Sequence, residues 1–217
     1  MVSGWTYLLS NGGLRSLVAT AAVLGEAQRP RLALIHIHDG RPGSQARLDH
    51  VHRQAEHFSV RQVIELSLPR RELAPAGLRQ DEAAASLMLR PRVVLTAVAH
   101  VMQAGGHRLV WPVQFNGDYA TIAAVTEQLV LLRHMIELEP PAEGMTGTMP
   151  RPAIETPLLD LTDRQLVELG GQLGVPWHLA WSCRFQGDKP CRVCPGCRRR
   201  HSAFHAAGIV DPVEQLV

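Results

Sequence analysis

Trp5-Thr-Tyr-Leu-Leu-Ser-Asn-Gly-Gly-Leu-Arg-Ser16 is the stretch that decides the fold. Residues 5–9 are aromatic, β-branched or aliphatic, which reads as a strand. Gly12 and Gly13 break that strand. Beyond them Leu14, Leu17, Val18, Ala21 and Leu24 recur on one face at helical spacing. Paired glycines let the backbone approach a ligand closely, and amides at a helix N-terminus favour an anion such as phosphate. The same residues also suit a tight strand-to-helix turn with no ligand. No Gly-Lys-Ser/Thr follows and the three-glycine spacing is missing, so the turn is neither a Walker loop nor the dinucleotide fingerprint.

The strand–helix alternation continues along the chain. Arg31-Leu-Ala-Leu-Ile-His-Ile37 is apolar through most of its length, as buried parallel strands are. A polar, His-rich helix is expected over 44–58, a third strand over 60–66, and a helix over 93–103 ending at Gly105-Gly106. A fourth strand is expected over 107–113. A long amphipathic helix follows over 121–138, with Ile122, Val125, Leu129, Leu132 and Ile136 inward. Residues 139–152 hold four prolines and two glycines and read as a surface loop. Thr162-x-x-Gln165 is a capping box opening the next helix, and a last helix is expected over 198–207. Repeated strand–helix units imply an α/β fold, a Rossmann-like, mostly parallel sheet flanked by helices. The 217 residues suit one domain, 1–217, with a core large enough to need no staples.

All four cysteines lie near the C-terminus, in Cys183-x7-Cys191-x2-Cys194-x2-Cys197. Four thiolates close a tetrahedral shell around zinc, and Cys-x2-Cys spacing brings two sulfurs from one turn to the same ion. The competing readings are two disulfides or four unrelated thiols. Disulfides need an oxidising compartment. The start, Met-Val-Ser-Gly-Trp, has no basic region before its apolar stretch, so the expected location is the cytoplasm. No apolar run approaches the roughly 20 residues that span a membrane. The segment 178–217 is therefore expected to be a zinc-binding lobe within the single domain.

A net charge of +2 says little about partners. Basic residues cluster locally at Arg192 and at Arg198, Arg199 and Arg200, which reads either as a phosphate-contacting patch or, more ordinarily, as a solvated face. Among the eleven histidines, His36 and His38 share a strand face, His50 and His57 lie near one helix face, and His201 and His205 sit four apart. None has a carboxylate pair at convincing metal spacing.

The glycine turn and the four-cysteine segment together resemble 7-cyano-7-deazaguanine synthases of the PP-loop ATP pyrophosphatase superfamily. The likeness extends to Leu73-Ala-Pro75, Ile154-Glu-Thr-Pro-Leu-Leu159, Trp181-Ser-Cys183 and the tail 204–212. It implies an adenine nucleotide α-hydrolase-like fold, a homodimer, and a deazapurine-like or nucleotide-like small ligand. It further implies ATP with magnesium at the turn, Asn11, Gly12, Gly13, Leu14, Arg15 and Ser16, and structural zinc on the four cysteines. The family's reaction turns 7-carboxy-7-deazaguanine into the nitrile with ATP and ammonia, through an adenylate and then an amide. Arg41 and Arg90 align with substrate-side arginines.

The departures fall on the chemistry. Where the family has Ser-Gly-Gly-x-Asp-Ser, this chain has Asn11-Gly-Gly-Leu-Arg-Ser16. The family's lysine after Thr-Pro-Leu falls at Asp163. Two charges are thus reversed in one expected site, which points to a divergent member impaired in ATP use. The competing readings are an active ATP-dependent ligase whose phosphate site is rebuilt around Arg15, and a zinc-bearing nucleic-acid or protein interaction module using Arg192 and Arg198 to Arg200. Nucleic acid is not the expected partner.

Overall fold

The computed structural model describes residues 4–39, 43–68, 89–140 and 151–213. Its elements, in order, are β1 (Trp5–Leu9), α1 (Leu14–Leu24), β2 (Arg31–His38), α2 (Ser44–His57), β3 (Gln62–Ser67) and α3 (Leu89–Gln103). There follow β4 (Arg108–Val110), α4 (Tyr119–Leu138), β5 (Ala153–Glu155), α5 (Asp163–Gln172), a 3-10 turn (Trp177–Leu179) and α6 (Pro195–Ala207). The strands form one sheet in the order β3-β2-β1-β4-β5, and every pairing is parallel. The α/β, Rossmann-like expectation holds.

Strand side chains alternate between two faces, and both faces are covered. Leu8, Leu34 and Val110 point to a core built with Leu17 and Val18 of α1, Val51 of α2, Leu166 of α5 and Phe204 of α6. Tyr7, Ile35 and Leu109 point the other way, onto Val98 of α3 and Val125 and Leu129 of α4. No helix among the described residues is long and apolar enough to cross a membrane.

Several bounds differ from the sequence reading: α3 begins at Leu89 rather than 93, α4 at Tyr119 rather than 121, β3 runs Gln62–Ser67 rather than 60–66, and three further differences have a visible cause. β4 stops at Val110 rather than running to residue 113, because Pro112 has no N–H for a ladder and the Val113 amide turns back to the Trp111 carbonyl (2.8 Å). β5 lies just beyond the proline-rich stretch expected as loop, its three residues pairing only with β4. α6 begins three residues earlier than expected. Cys194 caps it by accepting the Cys197 amide, and Pro195 occupies the first turn, where its missing N–H costs nothing.

The run Arg198-Arg199-Arg200 is not a solvated face. Successive helical residues point about 100° apart, and of the three only Arg198 is exposed, Arg199 being intermediate and Arg200 buried. Arg200 is buried: its Nε and Nη2 donate to both oxygens of buried Asp211 (2.6 and 2.8 Å), and Nη2 also reaches the Trp177 carbonyl (2.9 Å). This pair ties the chain's tail to the 3-10 turn. Asp211→Asn leaves a buried guanidinium without its counter-charge, a loss of about 3–5 kcal/mol. Urea unfolding should register that loss, and a change under 1 kcal/mol would count against the role given to the pair.

Candidate functional site

In a parallel sheet of this order, ligands sit beyond the carboxyl ends of the strands where the chain direction switches, here between β1 and β4. The glycine turn follows β1 at that point. Gly12 has φ +68, and a Cβ there would stand 2.4 Å from the Arg47 carbonyl oxygen, so only glycine fits. The Gly12 carbonyl accepts from the Trp181 amide (2.7 Å) and from buried Gln54 Nε2 (2.9 Å), which also donates to the Leu179 carbonyl. Asn11 Oδ1 accepts the Gly13 amide (3.1 Å) and lies 3.5 Å from Ser16 Oγ. An amide otherwise open to an anion is thereby engaged by the chain's own side chain. α1 itself has no side-chain cap.

β4 leads to the other wall. Gln114 is fully buried; its Nε2 donates to the Leu161 carbonyl (2.7 Å) and to Asp163 Oδ1 (3.0 Å), and its Oε1 accepts from Arg199 Nη2 (2.8 Å). Arg199 forks onto Asp163 as well, with Nε 3.1 and 3.2 Å from the two oxygens and Nη2 2.9 Å from Oδ1. The Asp163 amide donates to Asn116 Oδ1 (2.7 Å). Arg15 stands close enough to feel both partners. Burial brings its guanidinium down to about 10, Arg199 pushes the same way and Asp163 opposes. Arg15, Asp163 and Arg199 therefore share one electrostatic neighbourhood. A magnesium ion needs oxygen ligands. The carboxylate in this cluster is taken up by Arg199, with a second guanidinium nearby, and these residues do not fit the ion.

The four sulfurs lie within 4.8 Å of one another, and none is in a disulfide. Tetrahedral zinc with Zn–S near 2.3 Å sets sulfurs about 3.8 Å apart, and Cys183 and Cys194 already stand at 4.0 Å. Backbone amides of Cys191, Cys194, Cys197, Arg184 and Phe185 point at the sulfurs from 3.4–3.5 Å, as they do at thiolates. Burial raises the Cys183 thiol. At Cys194 the amides of Cys197 and Arg184 outweigh burial and bring it down to about 6. The donor set suits structural zinc, and four protein thiolates leave no open position. The lobe is docked tightly. A Cβ on Gly43, just before α2, would meet the Arg184 carbonyl oxygen at 2.7 Å, and Gln186 Oε1 accepts the Ala46 amide of α2 (3.0 Å).

Of the expected substrate residues, Arg41 lies outside the described residues, as does Leu73-Ala-Pro75. Arg90 is exposed, and its guanidinium stacks over Phe115 at 4.9 Å from the ring centroid, next in sequence to Gln114. His201 and His205 stand off the cysteine shell, with rings 6.3 Å apart. The cluster of Gln114, Asp163 and Arg199 was not assembled by sequence reasoning. Its one signal in the sequence was Asp163 standing where the resemblance leads one to expect a lysine.

His36 holds the turn from beneath. Its Nδ1 lies 3.0 Å from the Ser10 carbonyl, so Nδ1 carries the proton, and Nε2 is left buried without a partner. Burial pushes this imidazole down to about 4 from 6.5; the Ser10 carbonyl opposes, while His38 and Arg47 add to the fall. The unfolded chain takes up the extra proton first, so the contribution is complete above pH 6.5 and is lost as pH falls toward 4. It amounts to about 3 kcal/mol. His36→Gln should flatten the acid limb of stability against pH; an unchanged limb would contradict the assignment. Purified protein should carry one zinc per chain by elemental analysis. Cys197→Ser should lower both that ratio and the melting temperature, and full-strength binding by the variant would show the shell to be incomplete.

The family model described as "Queuosine biosynthesis protein QueC" matches residues 132–208. A 7-cyano-7-deazaguanine synthase from Chlorobaculum parvum is 29% identical over 97% of this chain and 96% of its own length. Shorter matches are closer. The synthase from Trichodesmium erythraeum is 43% identical over 61 residues, 28% of this chain and 28% of that protein. The one from Nostoc sp. is 48% identical over 60 residues, 28% of this chain and 26% of that protein. Among solved structures, the NMN synthetase from Francisella tularensis shares the fold at TM-score 0.51 and 12% identity, covering 96% of this chain and 88% of that one. The U34-tRNA thiolase NcsA from Methanococcus maripaludis does so at the same score and identity, covering 98% and 67%. These likenesses support homology to the PP-loop ATP-pyrophosphatase superfamily that includes QueC.

Proposed function

We propose that this chain is a divergent 7-cyano-7-deazaguanine synthase-like protein that keeps the fold and the zinc lobe but is impaired in ATP use. The observation that carries this reading is the exchange at the glycine turn. Arg15, on the turn expected to hold a nucleotide, feels the charges of both Arg199 and Asp163, and Asp163 is ion-paired with Arg199 (2.9 Å). Asn11 further occupies a turn amide. Asn11, Gly12, Gly13, Leu14, Arg15 and Ser16 remain the nucleotide-side residues of the proposal, and Arg41 and Arg90 the substrate-side ones, for a deazapurine-like or nucleotide-like ligand. The protein is proposed to act in the cytoplasm as a homodimer.

One observation favours a second reading, an active ligase with a rebuilt site. The reversed charges are near enough to compensate each other. The interaction-module reading is weakened, since Arg199 and Arg200 are both engaged within the chain.

Removing a preorganised electrostatic group costs about 100- to 1000-fold in turnover. With ATP, magnesium, ammonia and 7-carboxy-7-deazaguanine, this protein should release pyrophosphate at least about 100-fold more slowly than a full-length curated relative assayed beside it. Nitrile formation at the relative's rate would overturn the first reading in favour of the second.

A further inference from the structure

α4 is apolar on more than the face it buries. Val125, Leu129, Leu132 and Ile136 lie against the sheet. Leu131, Met135 and Leu138 are nonetheless 63%, 57% and 69% exposed. Of the eleven large hydrophobic residues that stand exposed among the described residues, five belong to this one helix. Single exposed apolar residues are ordinary on a protein surface, whereas a contiguous set marks an interaction site.

The set is ordered. Exposed Ala124, Gln128, Leu131, Met135 and Leu138 follow one another at spacings of four, three, four and three. That alternation is the seam of a coiled coil, which keeps one stripe turned toward a partner helix. At about 100° per residue the stripe lies about 110° around the helix from the buried one, so the sheet cannot cover both. The charged residues of α4 are few, Glu127, Arg133 and Glu137, and Arg133 already donates to the Ile154 carbonyl (2.8 Å). A helix that lies on an anionic membrane carries a basic polar face, and α4 has none.

The seam is complementary to itself. With two copies antiparallel about a two-fold axis at Leu131, Leu131 meets its own copy and small Ala124 meets long Leu138, the alternation that fills a packed layer. Glu127 precedes Leu131 by four residues and His134 follows it by three, and both are exposed on one flank of the stripe. An antiparallel two-fold sets that flank against itself in reverse order. Each Glu127 then comes level with the partner subunit's His134 to within one residue, about 1.5 Å of rise. An imidazole N–H donates to a carboxylate, and symmetry makes the pair twice. Within the chain, His134 has only a 3.8 Å approach to Glu137 between exposed side chains. Gln128, the polar member of the stripe, penalises other registers as polar seam residues do.

We propose that the outer stripe of α4, centred on Leu131, is the surface on which a second copy of this chain docks antiparallel. The proposal rests on the homodimer reading above and goes past it by assigning the interface and its direction.

Sedimentation equilibrium of the full zinc-loaded chain tests it. The wild type should weigh about twice the 23.9 kDa chain. Leu131→Glu places two carboxylates on the axis and should raise the dimer dissociation constant about 100-fold or more. Circular dichroism and zinc content should not change, since the position is exposed. Val130→Glu, one residue along but off the stripe, should shift the constant less than about threefold. Glu127→Lys alone should weaken the dimer, and Glu127→Lys together with His134→Glu should restore it. A dimer that survives Leu131→Glu, or a double exchange that restores nothing, overturns the seam and leaves the homodimer reading standing. A wild-type monomer overturns both, and one that floats with phosphatidylcholine–phosphatidylglycerol vesicles gives the stripe to lipid instead.

Discussion

Four sulfurs within 4.8 Å of one another impose a demand that the rest of the C-terminal half answers. As thiolates they repel, and a divalent ion turns that repulsion into a staple. The staple fixes where α6 begins, because Cys194 is both a ligand and that helix's cap. It thereby fixes where Arg199 and Arg200 point. Arg200 is spent on Asp211 and the 3-10 turn, and Arg199 is carried to the mouth of the sheet. A centre with no open coordination position still acts on the site by setting the helix that supplies it.

The glycine turn and the cation cluster meet at the end of β1, and they divide the work. The turn is rigid because its carbonyl is held from two directions, by Gln54 of α2 and by the Trp181 amide. The cluster carries the charge. Arg15 and Asp163 are far apart along the chain, yet they belong to one electrostatic unit with Arg199.

What could be read from the sequence was what is decided locally. The run from Trp5 to Leu24 declares strand, turn and helix by its own periodicity, and the Thr162–Gln165 capping box forms with both hydrogen bonds in place. The cysteines declare themselves by spacing alone. What could not be read was decided by a partner. Ala153–Glu155 is a strand only because β4 runs beside it, and three residues after a proline carry no period. Arg198, Arg199 and Arg200 are identical in composition, and only the starting residue of α6 determines which is exposed, which is shared and which is buried. Asp163 stood out as a substitution, but its meaning depended on Gln114 and Arg199, far away along the chain.

The hydrogen bond from Trp181 to Gly12 has a consequence for the order in which the molecule becomes competent. β1 and α1 leave the ribosome first and can form early from local preference. The turn between them, though, waits for residue 181, and the Arg199 fork waits for the metal-bearing lobe that follows. Contacts of such long sequence separation form late. A chain shortened before residue 181 would leave the Gly12 carbonyl without that amide, so the geometry of the turn depends on the segment that carries the cysteines.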